Sequence, residues 1–95
     1  MSIDELTTLL KKKGFRDIFQ ILIPNKGYKC EKRAFYNELN KFSYYNSFFR
    51  IKDELIKRGL LEIEINDGKK YIKLTKRGVE VYNKLMEIKD IINET

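Results

Sequence analysis

Histidine and tryptophan are missing from this 95-residue chain, and cysteine and proline occur once each. Without histidine the usual zinc and iron ligand sets cannot be assembled, and a single cysteine, Cys30, excludes an internal disulfide framework. Cys30 stands in an apolar-leaning stretch and reads as an inert, packed thiol. There is no P-loop and no glycine-rich phosphate cradle. The acidic pairs Glu62 with Glu64 and Asp53 with Glu54 lie among lysines on solvent faces, so no catalytic site is expected and no cofactor is implied. No run approaches the roughly 18 apolar residues of a membrane span, and no basic-then-apolar leader opens the chain. The expectation is a soluble cytoplasmic protein that does not engage a membrane.

What the chain has in excess is positive charge. Its net charge is +6, and 42% of its residues are hydrophobic, enough for one compact domain over 1–95. The charge is unevenly placed: residues 25–58 carry nine basic and four acidic side chains, whereas the segments on either side are nearly balanced. An anionic partner would account for that concentration, and so would a solvated charged face.

Apolar spacing sets out the elements. Ser2 with Glu5 makes a capping-box pattern ahead of Ile3, Leu6, Leu9 and Leu10, which predicts a first helix over about 2–13. Phe15, Ile18, Phe19, Leu22 and Ile23 predict a short buried helix stopped by Pro24 and Asn25. The glycine turn and brief run Lys26 to Cys30 read as a short strand or extended loop. Ala34, Phe35, Leu39 and Phe42 predict a third helix from Glu31 to about Asn40. Ser43 is a good N-cap for a fourth helix over about 44–58, whose stripe is Tyr45, Phe48, Ile51 or Lys52, Leu55 and Ile56, closed by Gly59.

The period then changes to two. Leu61, Ile63 and Ile65 alternate with Glu62 and Glu64, and after Asn66-Asp67-Gly68 the residues Lys70, Ile72 and Leu74 alternate with Lys69, Tyr71 and Lys73. A two-residue primed turn at Asp67-Gly68 sets Asn66 opposite Lys69, Glu62 opposite Lys73, Ile63 opposite Ile72 and Leu61 opposite Leu74. Thr75 then caps a last helix over 76–93, which is apolar around more than one stripe. One face suits the core. The other, with Ile3, Leu6 and Leu10 of the first helix, suits a second subunit, so a homodimer through the C-terminal and N-terminal helices is expected.

Two helices joined by a short turn and followed by a hairpin, within a basic segment, make a helix-turn-helix with a wing. Leu55-Ile56-Lys57-Arg58-Gly59-Leu60-Leu61 resembles the end of the recognition helix in winged-helix regulators of the MarR and PadR type. Lys69-Lys70-Tyr71-Ile72-Lys73-Leu74-Thr75-Lys76-Arg77-Gly78 resembles their exit from the wing. The likeness covers roughly residues 15–92. It implies an α+β, mostly helical fold, a winged helix-turn-helix with a two-stranded wing and flanking helices, and a DNA-binding transcriptional regulator whose partner is double-stranded DNA.

A recognition helix must show outward side chains of its N-terminal part to base edges while cations around it neutralise phosphates. With Phe48, Ile51 and Leu55 inward, Ser47, Arg50 and Asp53 or Glu54 turn outward. Arg50 is the candidate guanine reader, or else an ion-pair partner of Asp53 or Glu54. Asn46 and Ser47 could read bases or cap and solvate the first turn, Tyr44 and Tyr45 would pack or touch sugar and phosphate sooner than read a base, and Ser43 completes the candidate site at the helix start. Lys69 and Lys70, beside the wing tip at 66–70, suit phosphate or minor-groove contact, or protection of a hairpin edge. Two other readings share the fold. One is a protein-interaction module using Phe42, Tyr44, Tyr45, Phe48 and Phe49 as a peptide surface, and the other is a non-specific chromatin or replication-associated DNA binder. Lysine, isoleucine and asparagine outweigh arginine and alanine, as an AT-rich coding sequence would give, which fits a nucleoid-associated regulator of archaeal, plasmid or viral origin.

Overall fold

The computed structural model describes residues 2–41 and 45–93, apart from the side chains of Lys13, Tyr45 and Ser47. Ser2 caps α1 (Ile3–Lys11), its Oγ accepting from the Glu5 N–H at 3.1 Å. The first helix is shorter than its apolar spacing predicts, because Lys12 turns to an extended conformation (ψ 128°) and α2 (Lys13–Leu22) starts afresh. That break lets α2 turn Phe15, Ile18 and Leu22 into the core while α1 buries only Leu9. After Pro24 a single 3-10 turn (Lys26–Tyr28) leads into β1 (Lys29–Glu31), followed by α3 (Lys32–Asn40) and α4 (Tyr45–Lys57).

The core is the meeting of these helices with one face of a small sheet. Phe35 and Leu39 of α3, Phe48, Ile51 and Leu55 of α4, and Leu61, Ile72 and Leu74 of the hairpin are all buried. Phe35 and Phe48 are in ring contact, with centroids 4.8 Å apart. Two expected core positions are corrected: Ala34 and Ile56 are exposed, since the inward arcs of their helices close over Phe35 with Leu39 and over Phe48 with Leu55.

Strands β2 (Leu61–Asn66) and β3 (Lys69–Leu74) pair in the register read from the turn, with Leu61 opposite Leu74, Glu62 opposite Lys73, Ile63 opposite Ile72 and Asn66 opposite Lys69. Asp67 and Gly68 both take positive φ, 52° and 76°, the condition for a primed turn that matches strand twist. β1 adds to the other edge of β3, giving the antiparallel order β1-β3-β2.

The end of α4 and the exit of the hairpin lock together. Gly59 (φ 75°) ends the helix: its N–H donates to the Ile56 carbonyl at 3.0 Å and the Leu60 N–H to that of Leu55 at 3.0 Å, the double closure of a Schellman motif. The Thr75 N–H donates to the Leu60 carbonyl at 3.2 Å, and the Thr75 hydroxyl donates to the Gly59 carbonyl. The same hydroxyl accepts from the Gly78 N–H at 3.0 Å and so caps α5 (Lys76–Asn93).

Candidate nucleic-acid interface

The inward arc of α4 decides its outward one. With Phe48, Ile51 and Leu55 buried, Asn46, Arg50, Asp53 and Lys57, spaced by four, three and four residues, form an exposed row on the opposite side. Arg50 makes no ion pair with a described residue, so the expected alternative of a bridge to Asp53 or Glu54 is not the arrangement found. Glu54 is engaged elsewhere, accepting from Arg58 Nη2 at 3.0 Å, and Arg58 also reaches Glu5 of α1 at 3.5 Å. Of the two carboxylates left open by the sequence, the outward one is therefore Asp53.

Along the other flank of α4, Phe49 stacks on Tyr36 of α3 with centroids 5.6 Å apart, and Lys52 Nζ lies 5.2 Å from the Phe49 ring. Burial pushes the Tyr36 hydroxyl pKa up. Tyr36 forms the wall shared by two adjoining depressions. The larger, about 600 Å³, runs between the start of α3 and the hairpin tip and is lined by Lys32, Arg33, Asn37, Lys69 and Lys70. The smaller, about 100 Å³, brings Lys52 alongside Lys32 and Lys70.

Five cations from three elements therefore line these two adjoining depressions. None of Lys32, Arg33, Lys52, Lys69 and Lys70 is ion-paired with a described residue. Glu31 is the one carboxylate among the lining residues. The base of the hairpin is arranged differently: Lys73 lies 3.7 Å from Glu62, and Lys29 reaches across β3 to Glu64 at 3.0 Å. The hydrogen bond from Lys29, helped by the charges of Lys29 and Lys73, holds the Glu64 carboxyl below the usual carboxylate range. Positive charge is neutralised at the base and left open at the tip.

Of the residues singled out in the sequence, Asn46 and Arg50 share the exposed row of α4, and Lys69 and Lys70 stand together at the groove. Tyr45 and Ser47 fall in the first turn of α4, with side chains outside the described residues, and Ser43 and Tyr44 lie outside them altogether. Lys32, Arg33 and Lys52 were missed. Their one sequence signal was membership of the basic middle segment, which does not say which lysines meet the wing. Phe48, expected by one alternative on a peptide surface, is fully buried, whereas Phe49 is partly exposed. Cys30 is half-buried, and burial, then Glu38 and Glu31, push its thiol pKa up, in keeping with an unreactive side chain.

A separate apolar groove of about 720 Å³ lies between α1, α2 and α5, lined by Leu10, Phe15, Phe19, Ile23, Tyr82, Leu85 and Met86. Beyond it the last turns of α5 expose Ile88, Ile91 and Ile92, at 51%, 67% and 71% of their full areas. Ile3 of α1 is exposed as well. Among the described residues no helix is long and apolar enough to cross a membrane.

No family pattern matches this sequence, and no curated protein matches it. Among solved structures it is similar to F93 from STIV, a winged-helix DNA-binding protein, at 24% identity and a TM-score of 0.67, over 84% of this chain and 90% of that one. It is also similar to AF1382 from Archaeoglobus fulgidus, at 18% identity and a TM-score of 0.64, over 96% of this chain and 99% of that one. The fold is a winged helix. In that architecture α3 and α4 are the helix-turn-helix and β2 with β3 the wing, so the exposed row lies on the second helix of the pair and the basic groove lies between helix-turn-helix and wing.

Proposed function

We propose that this protein is a DNA-binding transcriptional regulator of the MarR and PadR kind, acting without catalysis inside the cell, on the nucleoid. In this reading α4 enters the major groove, Asn46 and Arg50 face base edges with Ser43, Tyr44, Tyr45 and Ser47 at the helix start, and Lys69 and Lys70 carry the wing onto the backbone. The observation that supports it best is the convergence of Lys32, Arg33, Lys52, Lys69 and Lys70, with no ion pair to a described residue, in the two depressions that share Tyr36. Leaving five like charges together is unfavourable unless a polyanion neutralises them, and a DNA backbone carries charge at the necessary density. The DNA-binding character of F93 supports the same reading by likeness of fold.

The protein acts as a homodimer in this proposal. Ile88, Ile91 and Ile92 are too many exposed branched side chains for one short helix end, and the apolar groove beside α5 offers a matching surface on a second copy. Two-fold pairing would present two recognition helices to half-sites about one DNA turn apart.

The test is a fluorescence-anisotropy titration of the full chain on a duplex and on an uncharged polymer of similar size, at several salt concentrations. Duplex binding whose logarithm falls linearly with log salt is expected, with a slope near −0.9 per phosphate neutralised. Absence of duplex binding at low salt would remove the proposal.

A further inference from the structure

Asp53 is the one carboxylate in the exposed row of α4, between Arg50 one turn before it and Lys57 one turn after it. Of the other three carboxylates in the basic segment, Glu38 lies 2.8 Å from Lys41, Glu54 lies 3.0 Å from Arg58, and Glu31 is half-buried at the groove, off the α4 row. Asp53 has no ion pair with a described residue and faces solvent. An anion on a surface that approaches phosphates opposes binding unless it meets a hydrogen-bond donor. In the major groove the base-edge donors are the amino groups of cytosine N4 and adenine N6, and guanine and thymine present acceptors there. A carboxylate accepts and cannot donate, so cytosine suits it fully, while adenine also offers N7, whose lone pair repels it.

We infer that Asp53 is a specificity-determining residue that selects cytosine, through its N4 amino group, next to the base pair read by Arg50; this rests on the duplex-binding reading above. The axial spacing fits. Three helical residues advance about 4.5 Å, against about 3.4 Å for one base step, so the two side chains address neighbouring pairs when α4 lies along the groove. Arg50 supplies donors and Asp53 acceptors, and the pair together reads a guanine beside a cytosine. The cost is borne on every other sequence, where the carboxylate meets acceptors or phosphates.

Selection from a pool of random-sequence duplexes tests this with the full chain and its Asp53→Ala, Asp53→Asn and Arg50→Ala variants. The unaltered protein should enrich a cytosine beside a guanine. Asp53→Ala should keep the guanine, become indifferent at the cytosine and bind unselected duplexes more tightly. Asp53→Asn should move the preference toward adenine, whose N6 and N7 a carboxamide can satisfy together. On single duplexes, replacing the cytosine should weaken the unaltered protein roughly tenfold or more and leave Asp53→Ala unchanged. Duplex binding with an enriched site that is the same in Asp53→Ala, or with no enriched site, overturns the inference and leaves the DNA-binding reading standing. Failure to retain any duplex at low salt overturns both. Asp53 supports no core contact, so matching circular dichroism spectra should show the variants folded.

Discussion

Gly78 of α5 packs so closely on the carbonyl oxygen of Leu60 that a Cβ at position 78 would overlap it. The contact joins the end of α4 to the exit of the wing, at the junction where Thr75 bonds to Gly59, Leu60 and Gly78. The exit of the hairpin is held to the end of α4 there by backbone against backbone.

Replacing Gly78 with alanine should therefore destabilise the fold by about 1–3 kcal/mol, as overpacking against unyielding backbone does. Denaturant unfolding followed by circular dichroism would measure it. Stability equal to that of the unaltered protein would show that the junction has slack.

The Lys29 to Glu64 pair makes a pH prediction. Lys29 also lies over the Tyr71 ring, 5.2 Å from its centroid, so one side chain ties β1 across β3 to β2. The Glu64 pKa is lowered on folding, so its contribution to stability is complete above the ordinary value of 4.5 and is lost as pH falls through the lower, folded value. Glu64→Gln should melt below the unaltered protein at neutral pH, and the gap should close on acidification. A gap that persists at low pH would assign the effect to something other than the ionised carboxylate.

For the groove, Lys32→Ala with Arg33→Ala should weaken binding to all duplexes alike and flatten the salt slope by about one to two units, as should Lys69→Ala with Lys70→Ala. Equal effects would place the start of α3 and the wing on the same DNA backbone. An unchanged slope in either pair would place that element away from DNA.

Arg50→Ala should cost about 1–3 kcal/mol on a selected site and much less on random duplex. Its melting temperature should hold, because an outward arginine supports no core. Equal losses on both duplexes would make Arg50 a phosphate contact.

Ile88→Glu or Ile92→Glu should convert a dimer to a monomer in sedimentation and weaken site binding by loss of the second half-site. Sedimentation of the unaltered chain as a monomer at micromolar concentration would end the dimer reading.

Much of this architecture is legible in the amino-acid sequence. The hairpin could be read residue by residue, because a two-residue turn and period-two alternation leave one register in which apolar pairs share a face. The helix-turn-helix and the outward position of Arg50 followed from the spacing of Phe48, Ile51 and Leu55, since a helix has no freedom to rotate once its apolar arc is buried. The extent of the first helix was misread, because the residues on either side of Lys12 carry helix-forming signals and the break is visible only in its backbone.

The local code in this chain decides the elements and their faces, for the interactions responsible lie within a few residues of one another. The groove is a different matter. Lys32 and Arg33 meet Lys69 and Lys70 because β1, three residues long and without a readable period, pairs with β3 and carries the start of α3 beside the wing tip. Lys29 finds Glu64 by the same pairing. The hairpin register already sets Lys73 opposite Glu62, but nothing local shows that Lys29 will be neutralised and Lys32 left open. That distinction arises when segments some 35 residues apart come into contact, 35 being the separation of Lys29 and Glu64, and only the tertiary structure makes it.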